Sequence, residues 1–387
     1  GESFTRSFFG SSERMMGILT FFHLYGFFLL LCHEIKSEPD RLLFLKTSLL
    51  TSILVSFVGF AQYFFPENHL DRSAIPVMIS TLGNKAYFGF YLILHFFISL
   101  EIFFKKHLSW SALIGILHGV AIVLLGVRGI YIGFIMVILI LLSGKLWGAV
   151  KTQPFRLKQY ISLLVVVILI GALLFKGAER LEKAYPDSNF AKTVHRVTSL
   201  SLKTSSVENR LMVWKLSWKA FLEKPVLGWG PENYELAFHR YYDPKLLSSG
   251  LSDTWFDRAH NGVIDIFVMT GLAGGIVFLF FLGYLFFFFR NELIFLGLLS
   301  AYTLSSLVEV EALVGIIVFI MILACLVNSS RQLIADEFRL SIVLKNIILT
   351  VSLISMGYAF SFGSGLFLMN RAVAEIPKLH WEVFIRD

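Results

Sequence analysis

The property that most constrains this chain is its succession of apolar runs. A membrane-spanning helix needs about 20 predominantly apolar residues. About ten such runs occur here, centred near Tyr25, Ile53, Leu94, Gly119, Val137, Ile168, Val277, Leu299, Ile320 and Ser355. A backbone inside hydrocarbon must satisfy its own hydrogen bonds, so runs of this length predict helices. Composition points the same way. The chain is 56% hydrophobic and only 16% charged, where a soluble domain has about 25% charged residues. Its mean hydropathy is +0.72. The expected fold class is therefore all-α, a polytopic membrane helix bundle with one large extracytoplasmic helical loop. The boundaries read from the sequence are 1–175 for the first half of the bundle, 176–259 for the loop, 260–370 for the second half and 371–387 for an extracytoplasmic tail.

Orientation follows from the short loops. If the first span runs inward, thirteen Lys and Arg residues, from Lys36 to Lys345, lie inside. Five lie in the short outside segments: Arg6, Arg14, Arg72, Lys85 and Arg128. Basic residues concentrate on the cytoplasmic side, so the long loop falls outside. The net charge of +7 is then a property of cytoplasmic loops and not a nucleic-acid signal. Cys32 and Cys325 sit at the ends of apolar runs, far apart in sequence, and read as small hydrophobes without a disulfide. The chain opens at Gly1 with neither Met nor a signal-peptide pattern, and reads as a piece of a longer protein.

The runs carry almost no charge at mid-depth. His23, His95 and His118 read as histidines paired inside the bundle, with a relay role as the alternative. Gly271, Ala273, Gly274 and Gly275 read as a site of close helix packing. The absence of buried mid-membrane charge, and of an internal repeat, argues against an ion-coupled transporter.

The loop has its own grammar. Ser205 followed by Glu208 has the spacing of a capping box and predicts a helix starting near Ser206, which Pro225 ends. On a helical wheel Leu211, Trp214, Trp218, Phe221 and Leu222 share one broad face. Arg210 lies at the edge of that stripe, away from Lys215 and Lys219. A guanidinium placed there suits a phosphate or a lipid headgroup; the other reading is an Arg whose stem lies along the stripe. Val226 to Tyr234 holds two glycines and a proline around Trp229, a tight turn. Tyr234, Phe238, Tyr241, Tyr242, Trp255 and Phe256 suit either an interfacial aromatic belt or rings for stacking on sugars.

His260 opens the next run, beside Asp257, Arg258 and Asn261. A histidine there is either structural or a group able to take a proton from a hydroxyl near neutral pH. Asn261 reads as a residue that orders the start of the span. Arg128, Arg72 and Lys85 fall on the same side. Several basic groups on one face form the expected cradle for a lipid-linked diphosphate, because an Arg fork offers two donors to two oxygens. The loop has no Asp-x-Asp pair. Glu309 and Glu311 are the close carboxylates on that face, so neither a metal nor another cofactor is expected.

At these residues the chain resembles the O-antigen ligase and polymerase family of bacterial inner-membrane glycosyltransferases, and is similar also to protein O-oligosaccharyltransferases. The resemblance rests on Arg210 and Trp214, on Glu223 to Asn233, on Asp257 to Asn261 and on Gly271 to Gly274. Ser80 to Asn84, Arg128-Gly129 and Arg14 to Gly17 add weaker similarity. The closest likeness is to the branch with a C-terminal extracytoplasmic extension, often of helical repeats, before which this chain stops. The resemblance implies transfer of a glycan from undecaprenyl diphosphate, at the extracytoplasmic face of the inner (cytoplasmic) membrane, to lipid A core, a growing glycan or a protein hydroxyl. It implies inversion at the anomeric carbon, with Arg210 and His260 as catalytic residues. Arg258, Arg128, Arg72, Lys85, Asp257, Trp214 and Tyr234 are the candidate contacts to diphosphate and glycan. Ligase, polymerase and protein transferase all remain open. A transporter or flippase of lipid-linked glycan, or a non-catalytic scaffold, is the alternative of another class.

Overall fold

The computed structural model describes residues 3–11, 14–65, 78–136, 138–140, 205–248, 255–310 and 312–331. The described residues form helices and turns, with no strand among them. The long helices are α2 (Ile18–Glu34), α3 (Glu38–Phe64), α4 (Lys85–Lys106) and α5 (Ser109–Leu125), followed by α6 (Arg128–Ile140). After the undescribed stretch come α7 (Ser205–Glu223), α8 (Tyr234–Arg240) and α9 (Lys245–Ser248). The chain then continues as α10 (Gly262–Phe288), α11 (Leu293–Ser306) and α12 (Leu313–Arg331). A short helix, α1 (Phe4–Phe9), precedes them all. Helices occupy the apolar runs at Tyr25, Ile53, Leu94, Gly119, Val277, Leu299 and Ile320. Among the described residues α3, α4 and α10 are long and apolar enough to cross a membrane. The runs at Ile168 and Ser355, like the 371–387 tail, lie outside the described residues.

Local chemistry sets the helix starts. Ser37 and Asp40 form a reciprocal capping box at α3, with Pro39 in its first turn. Asn84 caps α4 by accepting from Ala86 N, and the preceding Gly83 takes a left-handed conformation with φ 73°. Ser80 to Asn84 is thus the turn that launches α4. Asn261 caps α10, accepting from the amides of Val263 and Ile264 at 3.1 Å each. These caps satisfy amides that a helix end leaves open.

Helix α4 is the axis of the bundle. It packs against α3, α5, α11 and α12, and Phe88, Phe90, Leu92, Ile93 and Leu94 are wholly buried. Its polar groups are paired inside. His95 bonds Ser48 of α3 through Nε2 at 3.0 Å and the Tyr91 carbonyl through Nδ1. His118 of α5 bonds Ser52 at 3.0 Å, and His23 meets the Leu19 carbonyl. At the bundle end away from α7, buried Arg41 donates to Glu38 and Glu101. Cys32 and Cys325 are free and buried.

The break in α10 shapes everything beside it. Gly271 is non-helical there, with φ 64° and ψ −163°. At about 1.5 Å per residue, the 27 residues of α10 would extend about 40 Å if straight, and the 14 residues of α11 about 21 Å. Yet the two helices meet at both ends. Phe289 stacks edge-on against Phe295 at 4.4 Å, and a Cβ at Gly262 would lie 3.3 Å from the Ser306 carbonyl oxygen. Only a bend lets both contacts form. The break at Gly271 therefore sends residues 262–270 and residues 272–288 in different directions.

A turn between α7 and α8 fits into that break. Leu272 N and Ala273 N donate to the carbonyls of Pro225 and Val226, and Trp229 N and Gly230 N donate to those of Val268 and Met269. These bonds replace the helical ladder that Gly271 interrupts. A Cβ on Gly271 would stand 2.3 Å from Val226 O, and one on Gly228, itself at φ 67°, 2.5 Å from Met269 C. The sequence reading of Gly271 as helix-packing glycine is thus corrected: it is where a helix opens to receive another segment.

Candidate functional site

Helix α7 delivers the first candidate. It spans Ser205–Glu223, in line with the Ser205/Glu208 spacing. Its packed face consists of Asn209, Val213, Leu216, Ser217 and Ala220, whereas Leu211, Trp218 and Leu222 are exposed. The apolar stripe read from the wheel is therefore split. Phe221 is buried, Trp214 is half-buried, and the other three face outward. The packing face was hidden because small and polar residues, chiefly Ser217 and Ala220, do the close fitting.

Two bonds fix the α7 surface that faces the bundle. Trp214 Nε1 donates to the Ala259 carbonyl at 2.9 Å. One turn earlier, Arg210 Nη2 reaches Glu309 Oε1 at 3.3 Å. Glu309 packs beside Gly129, where a Cβ would lie 2.6 Å from its Cγ. Arg210, Glu309 and the Arg128-Gly129 turn thus come from three distant stretches to one place, with His260 following the Ala259 that Trp214 holds. Burial raises the Glu309 pKa, and the charge of Arg210 opposes that rise. Arg128 is half-buried.

His260 has a left-handed backbone, φ 52°, which is uncommon outside glycine. Its ring stands edge-on to Phe256 at 5.8 Å. The next residue, Asn261, caps α10, so the cap and the bend of the chain together orient this histidine.

A polar cleft of about 450 Å³ opens nearby, lined by Arg6, Ser11, Arg14, Glu232, Asp257 and Arg258, with Trp255 at its edge. Its charges are matched in pairs: Arg6 with Glu235, Arg14 with Asp257, and Arg258 with Glu232. Arg14 also donates to the Tyr87 hydroxyl at 2.7 Å. Glu232 accepts from Ser11 N at 3.1 Å and Ser11 Oγ at 2.9 Å. Asn233 Nδ2 donates to Ser7 Oγ at 2.9 Å. Ser7, Ser11 and Arg14 are therefore tied to the α7–α8 turn and to Asp257. Burial lowers the Arg258 pKa to about 10, so the guanidinium remains charged at neutral pH. Burial works against the charge of Arg14 as well, but Asp257 outweighs it and the Arg14 pKa is raised. Asp265 accepts from Ala259 N at 2.7 Å and pins the backbone next to His260.

The candidates divide as follows. Arg258 and Asp257 line the cleft. Arg210 and Trp214 converge on Glu309 and Ala259. Lys85 begins α4, two residues before Tyr87. Tyr234 is 1% exposed, with its hydroxyl on Ser217 at 2.6 Å; burial raises its pKa and packs its ring into the core beneath α7. Arg72 and Glu311 lie outside the described residues. Sequence reasoning missed Glu232, Arg6 and the pairing of Arg14. A carboxylate between Pro231 and Asn233 in an apolar turn was the available signal for Glu232. No cluster of three metal-ligating side chains occurs among the described residues.

Residues 110–279 match the family described as O-Antigen ligase. A stretch of the chain is 30% identical, over 126 residues, to a General O-oligosaccharyltransferase of Acinetobacter baylyi (strain ATCC 33305 / BD413 / ADP1). That stretch is 32% of this chain and 21% of the relative, so the match spans about a fifth of the relative's length. The matched family is the one that the motifs from Arg210 to Gly274 resemble.

Proposed function

With an O-antigen ligase match over residues 110–279 as premise, we propose that this protein is a membrane glycosyltransferase. It moves a glycan from undecaprenyl diphosphate to an acceptor hydroxyl on the extracytoplasmic face of the bacterial inner membrane. The observation that carries the reading is the contrast between two arginines. The Arg258 side chain is 7% exposed and committed to Glu232. That of Arg210 is 26% exposed and holds Glu309 only at 3.3 Å, which leaves donors of its fork for an incoming diphosphate.

The chemistry is a displacement. The acceptor oxygen attacks the anomeric carbon, the bond from that carbon to the diphosphate oxygen breaks, and undecaprenyl diphosphate leaves with the bonding pair. Arg210, with Arg128 of the adjoining turn, stabilises the charge that develops on the leaving group. His260 takes the acceptor proton. The balanced cleft at Arg14, Asp257 and Arg258 offers donors and acceptors to sugar hydroxyls, and Trp255 offers a ring face. Inversion and independence of metal belong to this proposal. An acceptor that is a protein hydroxyl is favoured by the similarity to the oligosaccharyltransferase.

The test is release of undecaprenyl diphosphate from a labelled lipid-linked glycan in vesicles, with lipid A core, free glycan and protein acceptors, each with and without EDTA. Acceptor-dependent release that survives EDTA and disappears in Arg210→Ala and His260→Ala is expected. Release by both variants at the wild-type rate would sink the assignment of these residues.

A further inference from the structure

The bend at Gly271 has a counterpart in α7. Three contacts order the two elements: Trp214 to Ala259, Phe221 to Phe267 with ring centroids 6.0 Å apart, and Pro225 to Leu272. Sequence numbers rise together on both sides of this series. Helix α7 therefore accompanies residues 262–270 in the same direction, and both end at the break at Gly271.

Residues 262–270, and α7 with them, take a direction different from that of residues 272–288. The exposed side of α7 is then decisive. Leu211, Trp218 and Leu222 are each more than half exposed, and the turn that follows exposes Val226 and Leu227 at 63% and 74%. That turn is hydrogen-bonded to residues 268–273. Just past it Leu272, Ile276 and Phe280 of the spanning part of α10 are exposed as well. The apolar surface of α7 is thus continuous with the lipid-facing side of a span. Lys215 and Lys219, exposed on the neighbouring sector of α7, flank it.

From this continuity we infer that α7 is an interfacial helix, lying on the bilayer with Leu211, Trp218, Leu222 and the Val226–Leu227 turn in the acyl boundary. The occupant of this face is the phospholipid bilayer itself. Its lysines extend their charges to anionic headgroups while their stems cover apolar surface. A segment this apolar on one side and this closely bonded on the other meets lipid without exposing open backbone groups, as bilayer contact demands. The arrangement holds Arg210 at headgroup depth, where the phosphates of a lipid-linked substrate lie. The inference rests on the membrane reading of the chain and not on the identity of the reaction.

The test reads depth directly. Nitroxide-labelled Leu222→Cys and Leu227→Cys, in a Cys32→Ser/Cys325→Ser background, are reconstituted in phosphatidylethanolamine and phosphatidylglycerol vesicles. Collision with molecular oxygen, which concentrates in acyl chains, is compared with collision with a water-soluble nickel chelate. Oxygen should dominate at both positions, and nickel at a Pro244→Cys control on the exposed stretch before α9. Tryptophan-free controls are unnecessary, since the readout is magnetic. Nickel dominating at residues 222 and 227 would overturn the inference, whether or not the protein transfers glycan. Transfer failing while oxygen dominates would instead remove the catalytic reading and leave this one standing.

Discussion

Arg210 and Glu309 show how one residue's chemistry depends on another that lies 99 positions away. The guanidinium is planar and presents parallel donors, whereas an ammonium is a point charge. Arg210→Lys is therefore expected to lose most activity, approaching the ~10²–10³-fold fall typical of deleting one transition-state donor. A kcat near wild type in the release assay would refute the fork argument. Glu309 gives a pH prediction. Its pKa is raised by burial, so the folded state holds the proton more tightly than the unfolded state does. The stability from this group is present below the ordinary carboxylate pKa, about 4.3, and is lost as pH rises through the raised value. Glu309→Gln removes that titration. Its melting temperature should fall less than that of the wild type from pH ~4.3 to neutrality, measured by thermal unfolding in detergent. Parallel curves for the two proteins would contradict it.

At the scale of elements, the break in α10 makes its own prediction. Gly271 has φ 64° and ψ −163°, a region open essentially to glycine alone, where strain costs about 1–3 kcal/mol. A methyl there also meets the Val226 carbonyl at 2.3 Å. Gly271→Ala should lower the melting temperature and detach the Pro225–Gly230 turn, visible as faster exchange of the Trp229 and Gly230 amides. Gly283→Ala, with nothing within 4 Å of the added carbon, is the matched control and should be neutral. Equal stability of the two would refute the docking role. The elements themselves were readable in advance: apolar length gave α3, α4 and α10, and the Ser205/Glu208 spacing gave α7. The docked face of α7 was not readable, because periodicity ranks residues by hydrophobicity. Ser217 and Ala220 pack closely by being small, and Trp218 is exposed although it is large and apolar. Gly271 carried no local mark to tell a broken helix from a packed one. Arg210, His260 and Arg258 stood out through local motifs, while the link between Glu232 and Ser11 and that between Arg14 and Asp257 join residues more than 200 positions apart.

On the scale of the whole molecule, the segment around α1 is held to the rest by polar bonds. Arg14–Asp257 and Arg258–Glu232 border the same cleft, and removing one partner of a buried pair leaves an uncompensated charge that costs about 3–5 kcal/mol. The Arg14 pair is less buried, with side-chain exposures of 13% and 29%, so its share is smaller. A double-mutant cycle of Arg14→Ala and Asp257→Ala should give a favourable coupling energy in thermal unfolding. Strict additivity would show that the pair does not hold the segment in place.

The separation of these partners has a temporal side. The Arg6–Glu235, Ser11–Glu232 and Arg14–Asp257 contacts span 229, 221 and 243 residues. A ribosome adds about 5–20 residues per second, so Arg14 emerges at least ten seconds or so before its carboxylate partner exists. During that interval the early helices must reach the bilayer with their basic residues unmatched. A chain interrupted anywhere between Arg14 and Asp257 would carry one border of the cleft without the carboxylate that closes it, and would lack α10, α11 and α12 of the bundle as well.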